Sequence, residues 1–276
     1  MSIRARKLEP RDTSFIDRHD RPMGTARIGG LGADCHGYLR LRKLLSGVLL
    51  DLGHELGPVR EEGLPLIVAL PERARPGDDT RVDTNLVAEV AHATRISDPG
   101  RSEIARGGHA AGAMALERAL QVLDDGASRV IVAGVDSYYH PETLRWLDES
   151  FRLHALDVEE GFIPSEAAAA CVLSRAQPQR DAVQLTDALV GSDPVAEGEP
   201  DTANVMSGLL AEVASRHGPA RWVMTDVNGE RHRQRWWRLA SARGSVEAGA
   251  LHQPIPADVG DVGAASGIVC VALAAT

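Results

Sequence analysis

The leucines of LRLRKLLSGVLLDLGHEL (39–56) recur at intervals of three and four, the spacing of one helix face, and predict an amphipathic helix. LPLIVALPE (64–72) is a short apolar run closed by Pro71 and predicts a buried strand, after which DTNLVAEVAHATR (83–95) returns to helical spacing. In ARGGHAAGAMALERAL (105–120) a glycine pair and a histidine run directly into an alanine-rich helix, which Gly126 stops. RVIVAGVDS (129–137) predicts a second buried strand. PETLRWLDESF (141–151) places proline at a first helical position, and EGFIPSEAAAACVLSR (160–175) predicts extended chain. Residues 1 to about 30 are polar and glycine-punctuated, with no clear period. Strand and helix alternate, and an α/β fold is the expectation.

The pattern returns further along. ALQVLDDGASRVIVAGVDS (119–137) and AEVASRHGPARWVMTDVNG (211–229) share a helix, a stopping glycine (Gly126, Gly218), an arginine three residues later (Arg129, Arg221) and an apolar strand. A second echo joins GFIPSEAAAACVL (161–173) to GDVGAASGIVCVAL (260–273). Together they predict a duplicated chain with halves at 1–180 and 181–276, joined near SRAQPQRDAV (174–183). A site between the halves would draw residues from both.

Charge and cysteine usage remove several classes of function. The formal net charge is -9, so arginine-bearing stretches belong to no basic excess and nucleic acid is not an expected partner. RHRQRWWRLASAR (231–243) reads better as a helix with Trp236 and Trp237 toward core and subunit interface and its arginines solvated than as a base-stacking platform. Cys35, Cys171 and Cys270 are odd in number and far apart, which suggests neither a disulfide framework nor a metal site and fits a reducing cytoplasm. Cys171 and Cys270 lie in apolar, strand-like runs and read as small core residues; Cys35 and His36 are adjacent, which points their side chains apart. The histidines lack metal-ligand spacing, and GGLG (29–32) follows no strand that would make it a dinucleotide loop. The first residues lack the apolar core of a signal peptide, and no apolar run reaches the roughly 18 residues of a membrane span. No cofactor, metal or membrane is implied.

Four motifs in order, GASRVIVAGVDSYYHPETLRWL, EGFIPSEAAAACVL, DVNGERHRQRWW and GDVGAASG, resemble those of the β-ketoacyl synthases of the thiolase superfamily. The similarity runs from about Phe15 to the C-terminus and is clearest from Ser102 onward. It implies a duplicated α/β fold layered α-β-α-β-α, here with a shortened N-terminal half. It also implies a homodimer, or a heterodimer with a synthase-like subunit, and acyl carrier protein or acyl-coenzyme A as further partners.

Such condensing enzymes need a cysteine at a helix N-terminus, where the dipole favours thiolate, and two histidines, or a histidine and an asparagine, from the second half. The matching positions are His109 in GHAAG, Asn228 in DVNGE and Asp261 in GDVGAASG, so the whole Cys-His-His set is replaced. Phe162 matches a phenylalanine near the acyl-pocket entrance. Ser165 stands where glycine is usual, and Glu166 is expected as a structural carboxylate held by backbone donors.

Two readings of the site follow. A degenerate subunit would bind an acyl chain, an acyl carrier or an active partner, with His109 only packing at the helix start and Asn228 and Asp261 serving as turn residues beside glycine. An acyltransferase or thioester hydrolase would instead use His109 as the nucleophile, kept neutral by the positive helix end, with Asn228 donating to an oxyanion and Asp261 acting as a base. A structural dimer component needs no pocket at all.

Overall fold

A computed structural model describes residues 8, 10–57, 63–175, 183–192 and 203–275 of the chain. It opens on a hairpin, β1 (Arg11–Ile16) and β2 (Pro22–Thr25), paired antiparallel, where the polar sequence predicts no regular structure. Its turn is local chemistry: the Asp17 carboxylate accepts from the backbone N–H groups of His19 and Arg21, and Asp20 adopts φ 59°.

The leucine stripe forms α1 (Gly37–Leu56), followed by β3 (Leu64–Leu70), whose every residue is buried, and α2 (Thr84–Thr94), capped by the Asp83 side chain. Next comes β4 (Ser97–Arg106), hidden from the sequence pattern by Pro99 and Gly100; it is an edge strand, and the register shift that accommodates both lies opposite Leu64 and Leu66. A single 3-10 turn, Gly108–Ala110, leads into α3 (Ala111–Asp124), then β5 (Arg129–Ser137), α4 (Pro141–Glu149) and β6 (Glu166–Ser174). The sheet order is β4-β3-β5-β6, parallel except for the antiparallel β5–β6 pair.

The period of two along β3 divides its side chains between two cores. Leu66 and Val68 meet Leu45 and Leu49 of α1 and Leu86 and Val90 of α2, while Ile67 and Ala69 meet Ala115 and Ala119 of α3. Each buried leucine contributes about 2 kcal/mol.

The second half supplies α5 (Asn204–His217), β7 (Ala220–Thr225), α6 (Arg231–Ser241), β8 (Val246–Pro254), the short α7 (Pro256–Val259), another 3-10 turn at Gly263–Ala265, and α8 (Ser266–Ala274). Helix, stopping glycine and strand recur as the first echo predicts, in α3–β5 and α5–β7. The second echo fails. Its first member is strand β6, whereas its second, with Cys270, is the 3-10 turn and helix α8, because an unbroken apolar run suits a buried helix as well as a strand.

The true counterpart of GAASG (263–267) is GHAAG (108–112). Both begin with a positive-φ glycine, Gly108 at 54° and Gly263 at 50°, both make one 3-10 turn, and both then open a helix. The helices cross at the fifth residues of these motifs: a Cβ on Gly112 would lie 2.8 Å from the Cα of Gly267. Ile268 of α8 shares the core of α3, so the end of the second half is built into the first. The expected boundary at 180/181 lies outside the described residues. Where the first sheet has four strands, the second, β7–β8, has two parallel ones, and its cross-strand partners Trp222 and Leu251 are exposed.

Candidate functional site

His109 occupies the middle of the 3-10 turn at the start of α3. Asp261 follows α7 and reaches the same point through a bridge to the stretch before β6: Pro164 pairs with Asp261, the Asp261 N–H donates to the Ile163 carbonyl (2.9 Å) and the Ser165 N–H donates to the Asp261 carbonyl (2.9 Å). Asn228 lies in the loop between β7 and α6. The three positions, distant in sequence, therefore meet.

The Asp261 carboxylate is completely buried and saturated with donors. His109 Nε2 lies 2.8 Å from Oδ1 and 3.0 Å from Oδ2, Asn228 Nδ2 donates to Oδ2 at 2.5 Å, the Gly263 N–H donates to Oδ1 at 2.8 Å, and the Tyr138 hydroxyl lies 3.4 Å from Oδ1. Burial opposes the charge on Asp261, but His109, Arg233 and the Gly263 N–H outweigh it and hold the carboxyl far below its usual range. Because an ionised carboxylate only accepts, Nε2 of His109 is the donor. Burial likewise opposes charge on His109, yet the Asp261 carboxylate prevails and raises its pKa above the ordinary imidazole value. Contrary to expectation, then, the helix end does not depress the His109 pKa: a full charge at hydrogen-bond distance exceeds the partial charge of a helix terminus.

Further ion pairs enclose the pair. Asn228 also donates to Glu230 (3.1 Å), and Glu230 accepts from Arg152 (2.7 Å). Arg233 pairs with Asp226 at 3.1 Å. Beneath them Arg75 makes two bonds to the buried Asp136, at 2.6 and 2.9 Å, bonds Glu72 as well, and stacks on the Tyr138 ring. Asp136 in turn accepts from the Ala264 N–H at 2.7 Å, which ties the first sheet to the start of α8. Sequence reading gave no role to Tyr138, Arg152, Arg233 or Arg75: Tyr138, Glu230 and Arg233 lie within the quoted motifs, but nothing local marks them as site residues, and Arg75 and Arg152 lie outside them.

Ser165 is buried, and its Cβ closes on Gly260, where a side chain would approach to 2.7 Å. Phe162 is buried among Tyr138, Leu144, Leu147 and Leu153. It lines a cavity of about 240 Å³ with Met23, Leu153 and Pro164, and His109, Asn228 and Asp261 form no part of that wall. Glu166 departs from expectation in its partner: it takes a buried ion pair from Arg40 (Nη2–Oε1 2.7 Å) and the Ser137 hydroxyl (2.7 Å), with a single backbone donor, Ile28.

No cysteine stands in for the missing thiolate. Cys171 and Cys270 are part-buried rather than fully enclosed, and burial pushes both thiols up to about 11. Cys35 is buried, while its neighbour His36 meets His140 edge-on at 5.0 Å. Trp236 and Trp237 are part-buried rather than fully in the core; Trp236 lies edge-on to His232 and Trp237 stacks on His252, both at 4.8 Å. Among the described residues no group of three or more His, Cys, Asp or Glu side chains could hold a metal ion, and no helix is long and apolar enough to cross a membrane.

This architecture, with two related helix starts crossing at glycine over a mixed sheet, matches the thiolase-like fold of solved ketosynthases. Solved structures agree. A ketosynthase from module 6 of the bacillaene synthase of Bacillus subtilis 168 superposes with TM-score 0.58 and 14% identity over 86% of this chain and 46% of its own. An oxazolomycin ketosynthase domain from Streptomyces albus JA3453 gives 0.62 and 15% over 87% and 50%. The ishigamide ketosynthase/chain length factor gives 0.59 and 15% over 91% and 78%. The chain thus spans about half the length of the first two. Neither a protein-family model nor a curated protein sequence matches it.

Proposed function

We propose that this chain is a ketosynthase-like companion subunit without condensing chemistry, which binds an acyl carrier, an acyl chain or an active synthase-like partner. One observation carries the reading: Nε2 of His109, at the nucleophile's position, is committed to a buried carboxylate. With its N–H directed at that carboxylate, Nε2 presents no electron pair to a thioester, and a buried carboxylate beside it repels a developing oxyanion rather than stabilising it. One of the similar structures is a ketosynthase/chain length factor, and a subunit that pairs with an active synthase is consistent with that likeness.

A second reading, acyl-thioester hydrolysis, draws on the same contact, because a carboxylate 2.8 Å from a histidine can orient a base. Thioester consumption separates the two. Wild type and His109→Ala are compared on a panel of acyl-coenzyme A and acyl-carrier substrates across pH. The companion reading expects both proteins to match buffer. A wild-type rate that climbs as His109 loses its proton, and is absent from the variant, would establish the hydrolase instead.

A further inference from the structure

Helix α6 presents two faces of opposite character. Arg233 and Ala240 point inward, Arg233 to Asp226 and Ala240 into complete burial. On the opposite side Arg231, Arg235 and Arg238 fall at i, i+4 and i+7 and are exposed, so they form one stripe. Among the described residues, the Arg231 side chain is paired only with Glu160, itself half exposed, and that of Arg238 meets only the Gln234 side chain at 3.4 Å. Arg235 makes no hydrogen bond or ion pair among the described residues. Alongside the stripe runs a groove of about 530 Å³ lined by these three arginines, Gln234, Leu239 and Glu160. A concentrated positive stripe with an apolar side chain in its groove stands out on a chain of net charge -9.

We infer that this face of α6 docks an acidic helix of a partner protein. Carboxylates at i, i+4 and i+7 of a helix match the arginine spacing, and an apolar residue between them would meet Leu239. Single-stranded nucleic acid fits less well, because it needs free aromatic faces beside the cations, and Trp236 and Trp237 are both part-buried, Trp236 edge-on to His232 and Trp237 stacked on His252. The surface lies on the far side of α6 from Arg233 and the His109 site, so the inference stands whatever chemistry that site performs.

A fluorescent helical peptide with glutamates at i, i+4 and i+7 and one leucine is titrated into the full chain, with single-stranded RNA in parallel. Saturable binding is expected, weakening by roughly tenfold on Arg235→Glu, nearly unchanged by Arg235→Lys, and falling steeply as salt is raised. A peptide carrying lysine in place of its central glutamate should recover binding to Arg235→Glu. Circular dichroism confirms that each variant is folded; Arg235, exposed and unpaired among the described residues, offers no reason for failure. Absence of saturable binding, indifference to Arg235→Glu, or tighter binding of the RNA would overturn the inference.

Discussion

The two helix starts GHAAG and GAASG share a positive-φ glycine, a 3-10 turn and a glycine at the crossing point, and differ in what the second residue does. In α8 that residue is Ala264, fully buried, and its backbone N–H goes to Asp136. In α3 it is His109, whose ring reaches across to Asp261. The shared parts are requirements of backbone geometry: only glycine adopts φ near 50° without cost, and a side chain at either crossing glycine would strike the opposing backbone. The differing residue is free of that constraint. Chemistry can therefore be exchanged at the turn while the scaffold persists, and here the second residue of the α3 start reaches across to Asp261, just ahead of the α8 start.

Breaking the His109–Asp261 contact from the acid side should have the largest effect. Asp261→Ala leaves the His109 ring and the Gly263 N–H without their acceptor and the Asn228 amide with Glu230 alone, and should cost about 4 kcal/mol in urea unfolding. His109→Ala makes the α3 start resemble that of α8; Asp261 then keeps its Asn228, Tyr138 and Gly263 donors, and the loss should be about 3 kcal/mol. If His109→Ala proved neutral, the His109–Asp261 contact would contribute nothing to holding the two helix starts together. Gly112→Ala tests the shared part. Its Cβ meets backbone that cannot rotate aside, and about 2 kcal/mol of destabilisation is expected in the same urea experiment.

What the sequence disclosed follows the same division. Periodic apolar runs announced α1, β3, α2, α3 and β5 because each owes its form to one buried face or to burial on both. The β1–β2 hairpin and β4 stayed hidden, being held by turn hydrogen bonds and edge pairing that leave no hydrophobic period. Position in the motifs marked His109, Asn228 and Asp261, but their pairing depends on the bridge from Pro164 to Asp261, a tertiary contact. Arg40, buried against Glu166 from within the leucine helix, was equally invisible: nothing local distinguishes it from the exposed Arg42 two residues on.

The pH dependence of stability is the subtlest expected difference between the two helix starts, since only that of α3 carries a proton to lose. The folded pKa of His109 lies above its ordinary value of 6.5, so the stability it supplies is complete below about that pH and disappears as pH rises through the folded pKa. Asp261 works in the other direction: its folded pKa lies below the ordinary 3.8, so its share is complete above that value and is lost only in stronger acid. Both charges are present together between these limits. Urea midpoints of wild type and His109→Ala should accordingly lie furthest apart in mildly acidic solution and converge as pH rises beyond the histidine range. A gap that stayed constant, or widened with pH, would mean that the imidazole is neutral in the folded chain. A neutral ring would leave an electron pair on Nδ1 while Nε2 still donates to Asp261, and that result would favour the base-catalysed hydrolase over the companion reading.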